Sequence, residues 1–208
     1  MAERARGILF VLSAPSGTGK SSLARRILES DPALHFSVSY TTRPRREGEQ
    51  DGRDYHFVAD DAFDGMVARG DFLEWANVHG RRYGTGRAAT EALLLQGWDV
   101  LLDIDVQGGR QVRAHEPSAV FVFVLPPDYA TLEGRLRSRR TEGETEVVRR
   151  LAVARAEAEE FRDYDYLVIN TDLDRAAREF AAIVTAERRR TVRRTDEAER
   201  IVGTFPPG

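Results

Sequence analysis

The 208-residue chain contains no cysteine, almost no lysine and no long hydrophobic run. The lack of cysteine excludes disulfides, thiolate metal sites and cysteine nucleophiles. The apolar run nearest the N-terminus extends only from Ile8 to Leu12, which is too short for a signal-peptide core or a membrane span. A net charge of -3 gives no overall field that would draw the chain to nucleic acid or to an anionic membrane. We therefore expect a cytoplasmic protein without nucleic-acid or membrane partners, in which any anion binding is local.

Lysine occurs once among the 31 Lys and Arg residues, at position 20, within the stretch APSGTGKSS. This stretch follows a buried-strand pattern and precedes a helical one, which is the context of a phosphate-binding loop. Glycines let successive N–H groups turn toward an anion, and the slim ammonium of lysine enters such a loop where a planar guanidinium does not. The first glycine of the usual pattern is replaced by alanine. The predicted loop consists of Ala14, Pro15, Ser16, Gly17, Thr18, Gly19, Lys20, Ser21 and Ser22.

Four apolar runs, at 7–13, 98–105, 119–125 and 165–170, are typical of strands that are buried on both faces. Helical patterns at 21–28, at 145–161 and after Asp172 separate them. The alternation predicts an α/β fold of the P-loop NTPase type, with a parallel sheet flanked by helices. We expect the polar tail from Arg188 onward to be frayed.

Two segments interrupt this alternation and predict additional lobes. Residues 36–87 form an inserted β-rich lobe, in which FSVSYTTR is one half-exposed strand and Asp51-Gly52 is a hairpin turn. Residues 128–150 form a helical lid. The P-loop core then comprises 1–35, 88–127 and 151–208.

The inserted lobe carries Arg43, Arg45 and Arg46 within four residues, followed by Tyr55. Guanidinium forks and a phenol hydroxyl suit a phosphate monoester, although position alone favours a solvated basic turn as the explanation of the arginines. The lid segment adds a second group of cations, which would neutralise a phosphoryl group in transfer or form helix-surface ion pairs such as Glu146 with Arg150. These lid cations are Arg135, Arg137, Arg139, Arg140, Arg149 and Arg150.

Carboxylates at strand positions predict a second ligand site. Glu74 lies inside an apolar strand, and Asp103 and Asp105 end a buried strand at the edge where parallel sheets bind ligands. Each carboxylate taken alone could equally be a helix cap or an ion-pair partner. A buried Glu74 with a hydroxyl from Ser39 or Thr85 would accept the N1 and N2 hydrogens of guanine, which adenine does not present.

Taken together, these residues resemble the guanylate kinases, which transfer a phosphoryl group from ATP to GMP or dGMP, over nearly the whole chain from the loop to residues 168–176. The resemblance implies direct in-line transfer in purine nucleotide metabolism, with Mg²⁺ as cofactor and ATP as co-substrate, and it leaves the oligomeric state open. It assigns the loop and Asn170 to ATP, and Mg²⁺ to Ser21 with Asp103 or Asp105 through water. The catalytic residues that it implies are Lys20, Arg135, Arg139 and Arg150. The GMP-binding residues that it implies are Ser39, Arg43, Arg46, Tyr55, Glu74, Tyr83, Thr85 and Asp103.

The chain departs from the family pattern at three places. Pro44 stands one place early, which leaves open whether Arg45 or Arg46 holds phosphate; Arg140 replaces a glycine, and Thr171 replaces an aspartate. Two other functions remain in competition. One is a protein-binding module of guanylate-kinase-like fold, against which the intact Lys20 and Ser21 argue. The other is a kinase that acts on a ribose bisphosphate, which would have no use for a base-reading Glu74.

Overall fold

The computed structural model describes residues 5–78, 80–138 and 144–206. Its strands form two sheets, with the orders β2-β7-β1-β8-β9 and β4-β3-β6-β5. The strands in chain order are β1 Leu9–Ser13, β2 Leu34–Phe36, β3 Tyr40–Thr41, β4 His56–Phe57, β5 Phe72–Val78, β6 Arg81–Gly86, β7 Asp99–Asp103, β8 Val120–Leu125 and β9 Tyr166–Ile169. The helices are α1 Lys20–Ser30, α2 Asp60–Arg69, α3 Arg87–Leu95, α4 Val106–His115, α5 Tyr129–Arg137, α6 Glu144–Ala158, α7 Leu173–Arg188 and α8 Thr195–Val202.

The first sheet is parallel throughout, and helices cover both of its faces, which confirms the predicted fold class. All four predicted strands are present, and β1, β7 and β8 are buried along most of their length because apolar side chains point to both faces. The interpretation of FSVSYTTR as one strand is wrong. Phe36 ends β2 and pairs with Leu101 of the parallel sheet, whereas Tyr40 begins β3 in the other sheet.

Helix packing on the two faces gives two apolar clusters. On one face, Phe180 of α7 contacts Phe10 of β1, with ring centroids 6.0 Å apart. Asp172 caps α7 as predicted, because its carboxylate accepts a hydrogen bond from the backbone N–H of Arg175 at 2.8 Å. The prediction of a frayed tail is wrong for 195–202, where α8 forms with acidic residues in its first turn.

The second sheet lies between β2 and α3 in the chain. Strands β5 and β6 form an antiparallel hairpin, but β3 and β4 are parallel, so the predicted hairpin turn at Asp51-Gly52 is wrong. Gly52 does turn the chain, with φ of 76° and an N–H bond to the carbonyl of Tyr55. The longer loop that precedes it is held by Glu49, whose carboxylate binds the side chain of Arg43 and the backbone N–H of Arg46.

Helices α5 and α6 pack against each other through a third apolar cluster, formed by Leu132, Leu136, Val147, Leu151 and Ala154. This pair covers the loop that follows β1. None of the helices within the described ranges combines the length and the apolar character that crossing a membrane requires.

Candidate active site

The loop predicted to bind phosphate connects β1 to α1. Gly17 and Gly19 have φ of 90° and 93°, a region that side chains disfavour. Space is short as well: a Cβ on Gly17 would lie 2.7 Å from Cγ of Leu136, and one on Gly19 would lie 2.9 Å from Nδ2 of Asn170. The methyl group of Ala14 packs into the core, where it is 6% exposed. Both glycines are therefore required by their surroundings.

Two predicted site residues hold the loop through one carbonyl group. The side chains of Asn170 and Arg135 both donate to the carbonyl oxygen of Thr18, at 2.8 and 2.9 Å. Arg135 also donates to the backbone carbonyl of Asn170 at 2.9 Å. Both residues thus contact the backbone of the loop, and Asn170 is buried. They stabilise the curvature of the loop in addition to any role toward a ligand.

Lys20 extends from the loop toward the end of β7. Its Nζ lies 2.6 Å from Oδ1 of Asp103 and donates to the carbonyl of Ile104 at 2.5 Å. Lys20 and Asp103 are 18% and 11% exposed, so the ion pair is largely shielded from water. The structure therefore places Asp103 beside the lysine, between the loop and the edge of the sheet.

The oxygen groups near this sheet edge fit a magnesium ion. Asp105 caps α4 by accepting the backbone N–H of Gly108 at 2.8 Å, Asp103 lies two residues before it, and Ser21 is in the first turn of α1. Among residues 5–78, 80–138 and 144–206, no three His, Cys, Asp or Glu side chains cluster as metal ligands. Mg²⁺ prefers oxygen ligands and commonly binds through few carboxylates, several waters and substrate phosphates. This donor set suits such an ion.

A cavity of about 420 Å³ lies over the loop, with residues of α6 on its far side. Arg150 donates to Oγ of Ser16 at 2.6 Å, and Glu157 accepts the backbone N–H of Ser16 at 3.1 Å. Burial raises the pKa of the Glu157 carboxyl, while the bond from Ser16 acts to lower it. Glu157 was not predicted, because it lies 141 positions from Ser16 in the sequence. Arg139, a predicted catalytic residue, falls outside the described residues.

The predicted guanine reader is buried in the second sheet. Glu74 of β5 is 4% exposed, and its Oε1 accepts a hydrogen bond from the hydroxyl of Thr85 at 2.6 Å. Burial raises the pKa of Glu74 to about 7, and the bond from Thr85 only partly offsets that effect. On the side of α4, a Cβ on Gly108 would lie 2.6 Å from Oε2 of Glu74. Ser39 is half-buried, and its backbone carbonyl binds the N–H of His56.

The predicted phosphate-binding residues lie on or beside β3, β4 and β6 of the same sheet. Arg43 forms a two-pronged ion pair with Glu49, at 2.6 and 3.1 Å, and lies 5.4 Å from the ring centroid of Tyr55. Tyr55 and Tyr83 meet edge to face at 5.8 Å, and burial raises the pKa of Tyr55. The side chains of Arg45 and Arg46 are exposed. Glu49, the partner of Arg43, was not predicted as a site residue.

Comparison with known proteins gives one consistent family. The model for the guanylate kinase family matches residues 6–187. A guanylate kinase of Syntrophotalea carbinolica is 52% identical over 94% of this chain and 93% of its own length, and one of Alkalilimnicola ehrlichii is 51% identical over 90% and 92%. A crystal structure of guanylate kinase from Anaplasma phagocytophilum superposes with a TM-score of 0.80, at 32% identity, over 99% of this chain and 98% of that one.

Proposed function

Because the chain belongs to the guanylate kinase family, we propose that it transfers the γ-phosphoryl group of ATP to GMP, giving ADP and GDP. The observation that carries the proposal is that the start of α4 adjoins both the lysine of the phosphate loop, at Ile104, and the buried Glu74–Thr85 pair, at Gly108. The charges of Lys20 and Asp105 both act on the pKa of Glu74, so the two halves of the site lie within electrostatic reach.

We assign the donor nucleotide to the loop. The amides of residues 16–20 and the N-terminus of α1 would surround the polyphosphate, and Lys20 would follow the γ-phosphoryl group during transfer. Arg150 extends from α6 to the loop at Ser16, which places its guanidinium at the wall of the same cavity. Its charge would offset the charge that develops on the transferring oxygens.

We assign GMP to the second sheet. Glu74 in its ionised form would accept the N1 and N2 hydrogens of guanine, with Thr85 fixing the carboxylate. Arg43, Tyr55 and Tyr83 would hold the phosphate. The residues assigned here bind the base and the phosphate of GMP, and none is assigned to the 2′-hydroxyl. We therefore extend the proposal to dGMP.

The chemistry requires no covalent intermediate. An oxygen of the GMP phosphate bonds to the γ-phosphorus while the bond from that phosphorus to the β–γ bridging oxygen breaks, in line, so the residues contribute positioning and charge. Ser21, with Asp103 or Asp105 through water, would hold Mg²⁺, which when bound supplies positive charge to the phosphate oxygens. Asp103 keeps Lys20 oriented across the loop.

An acceptor screen tests the proposal. Purified protein and MgATP are combined with one acceptor, either GMP, dGMP, AMP, CMP, UMP or a ribose bisphosphate, and ADP release is measured with a coupled assay. We expect turnover with GMP and dGMP and little with the others. The variant Lys20→Met should lose roughly a hundredfold or more in kcat while it binds GMP normally. ADP release that is absent with every acceptor would favour a protein-binding module, and release with a ribose bisphosphate alone would favour the other kinase.

A further inference from the structure

Gln111 on α4 makes with Trp75 the pair of hydrogen bonds that a neighbouring strand would make. The backbone N–H of Trp75 donates to Oε1 of Gln111 at 3.2 Å, and Nε2 of Gln111 donates to the backbone carbonyl of Trp75 at 2.8 Å. Trp75 lies on β5, which is the edge strand of its sheet. A side-chain amide carries the same donor and acceptor as a peptide group, so Gln111 pairs with this edge as a single residue of a strand would.

This contact lies one residue from the proposed guanine reader. Glu74 and Trp75 are adjacent on β5, so fixing the backbone of Trp75 fixes the point from which the Glu74 side chain departs. Thr85 holds one oxygen of that carboxylate, and the other faces Gly108 of α4 across a gap that admits no side chain. Gln111 lies three residues after Gly108, on the same helix.

Helix α4 also begins at the end of the site that carries Lys20. Its N-cap residue Asp105 binds the backbone N–H of Gly108, and Ile104, which accepts from Lys20, precedes that cap. The helix therefore runs from the phosphate loop to the strand that bears Glu74. The Gln111–Trp75 pair ties the strand to the helix in a fixed register.

We propose that Gln111 is a positioning residue for guanine: by holding β5 against α4, it sets the carboxylate of Glu74 at the distance that the base requires. The inference rests on the proposed function, because it assumes that Glu74 reads GMP. Only a side chain with both a donor and an acceptor can make this pair. A carboxylate would keep the bond from the Trp75 N–H but would bring an oxygen against the Trp75 carbonyl.

The test compares the variants Gln111→Met and Gln111→Glu with the control Arg110→Met. Methionine keeps the length of the side chain and removes both hydrogen bonds. Arg110 lies on the same helix, is exposed and pairs with Glu160 rather than with β5. We expect either Gln111 variant to raise KM for GMP about tenfold (about 1.4 kcal/mol), with kcat and KM for ATP within about twofold of the wild type. The control should resemble the wild type in all three constants.

A second substrate distinguishes a loss of Glu74 positioning from a general loosening of the protein structure. Inosine monophosphate lacks the N2 amino group and offers Glu74 one N–H instead of two, so the Gln111→Met loss should be smaller with it than with GMP. Equal losses for the two substrates, equal losses for ATP and GMP, or unchanged kinetics would each overturn the role of Gln111. Calorimetric GMP binding and a urea unfolding midpoint, measured on each variant, show that the compared proteins are folded. If wild-type protein releases no ADP with GMP, the proposed function itself fails.

Discussion

The ionisation of Glu74 makes GMP binding dependent on pH near neutrality. Only the carboxylate form accepts two N–H hydrogens, because a protonated carboxyl group presents a donor to one of them. Burial raises the pKa of Glu74 to about 7, so both forms are populated in the free protein. Raising the pH through 7 should therefore tighten GMP binding, and lowering it should weaken binding.

The magnitude follows from the fraction of protein that is competent to bind. With a pKa of about 7, about one molecule in eleven is ionised at pH 6 and about ten in eleven at pH 8, so the apparent Kd for GMP should fall about tenfold between these values. The phosphate group of GMP also titrates, with a second pKa near 6. Its contribution is shared by any variant that keeps the phosphate-binding residues.

Calorimetric titration with GMP at pH 6, 7 and 8 measures the effect, with Glu74→Gln as the matched control. Glutamine keeps the shape of the side chain and the acceptor for the Thr85 hydroxyl, but it does not ionise. The wild type should gain about tenfold more affinity over this interval than the variant does. An identical pH dependence in both proteins would refute the assignment of the titration to Glu74, and with it the argument that this carboxylate binds guanine as an anion.

Two further perturbations test the energetics of the site. The pKa of Glu74 is about 7 in the folded protein and 4.5 ordinarily, so between pH 4.5 and 7 the native state binds more protons than the unfolded state and loses stability as pH rises. Glu74→Gln should therefore raise the urea-unfolding free energy by up to about 3 kcal/mol at pH 8 and by much less at pH 5. An equal gain at both pH values would contradict this. Glu49→Gln keeps an acceptor for the Arg46 N–H but loosens the ion pair with Arg43, which leaves Arg43 more available to the GMP phosphate. Calorimetry should therefore show GMP binding a few-fold tighter (about 0.5–1 kcal/mol) and ATP binding unchanged. Weaker GMP binding would mean that Glu49 is needed to shape the loop.

Strands buried on both faces were predictable from the sequence, and the three-residue strand β2 and the connection between β3 and β4 were not. Strands β1, β7 and β8 read as continuous apolar runs because neither face meets water. Strand β2 is only three residues long and joins the parallel sheet at its edge, so its pattern merged with that of the following segment. Asp51-Gly52 is a local hairpin signal, but the Arg43–Glu49 pair organises a longer loop, after which β4 lies parallel to β3.

The residues of the candidate site also differ in how far the sequence predicts them. The loop residues stand out in the sequence because their spacing is local, and Glu74 stands out because a carboxylate in an apolar strand is unusual; the roles assigned to them stay predictions. Glu157, Glu49 and Gln111 were missed since each acts on a backbone group or a side chain that only the fold brings near, as in the pair of Ser16 with Glu157. For Asp105 the interpretation as a helix cap is confirmed, because its carboxylate accepts the backbone N–H of Gly108 at the start of α4, and its role toward a ligand stays a prediction.

The contacts of Lys20 explain why this position carries a lysine and not an arginine. Nζ of Lys20 contacts Oδ1 of Asp103 and the carbonyl of Ile104, which accounts for two of the three N–H donors of an ammonium group. The donors point in tetrahedral directions, so the third is available to a phosphate oxygen while the other two keep their partners. A guanidinium is broader than an ammonium and holds its donors in one plane, so an arginine that engaged Asp103 with two N–H groups would have only in-plane donors left, directed away from that carboxylate. Arg43 engages the loop carboxylate of Glu49 with two N–H groups in this way. If the loop binds the donor nucleotide as proposed, it requires a cation that contacts the protein and the phosphate at the same time, and the tetrahedral ammonium of lysine meets that requirement.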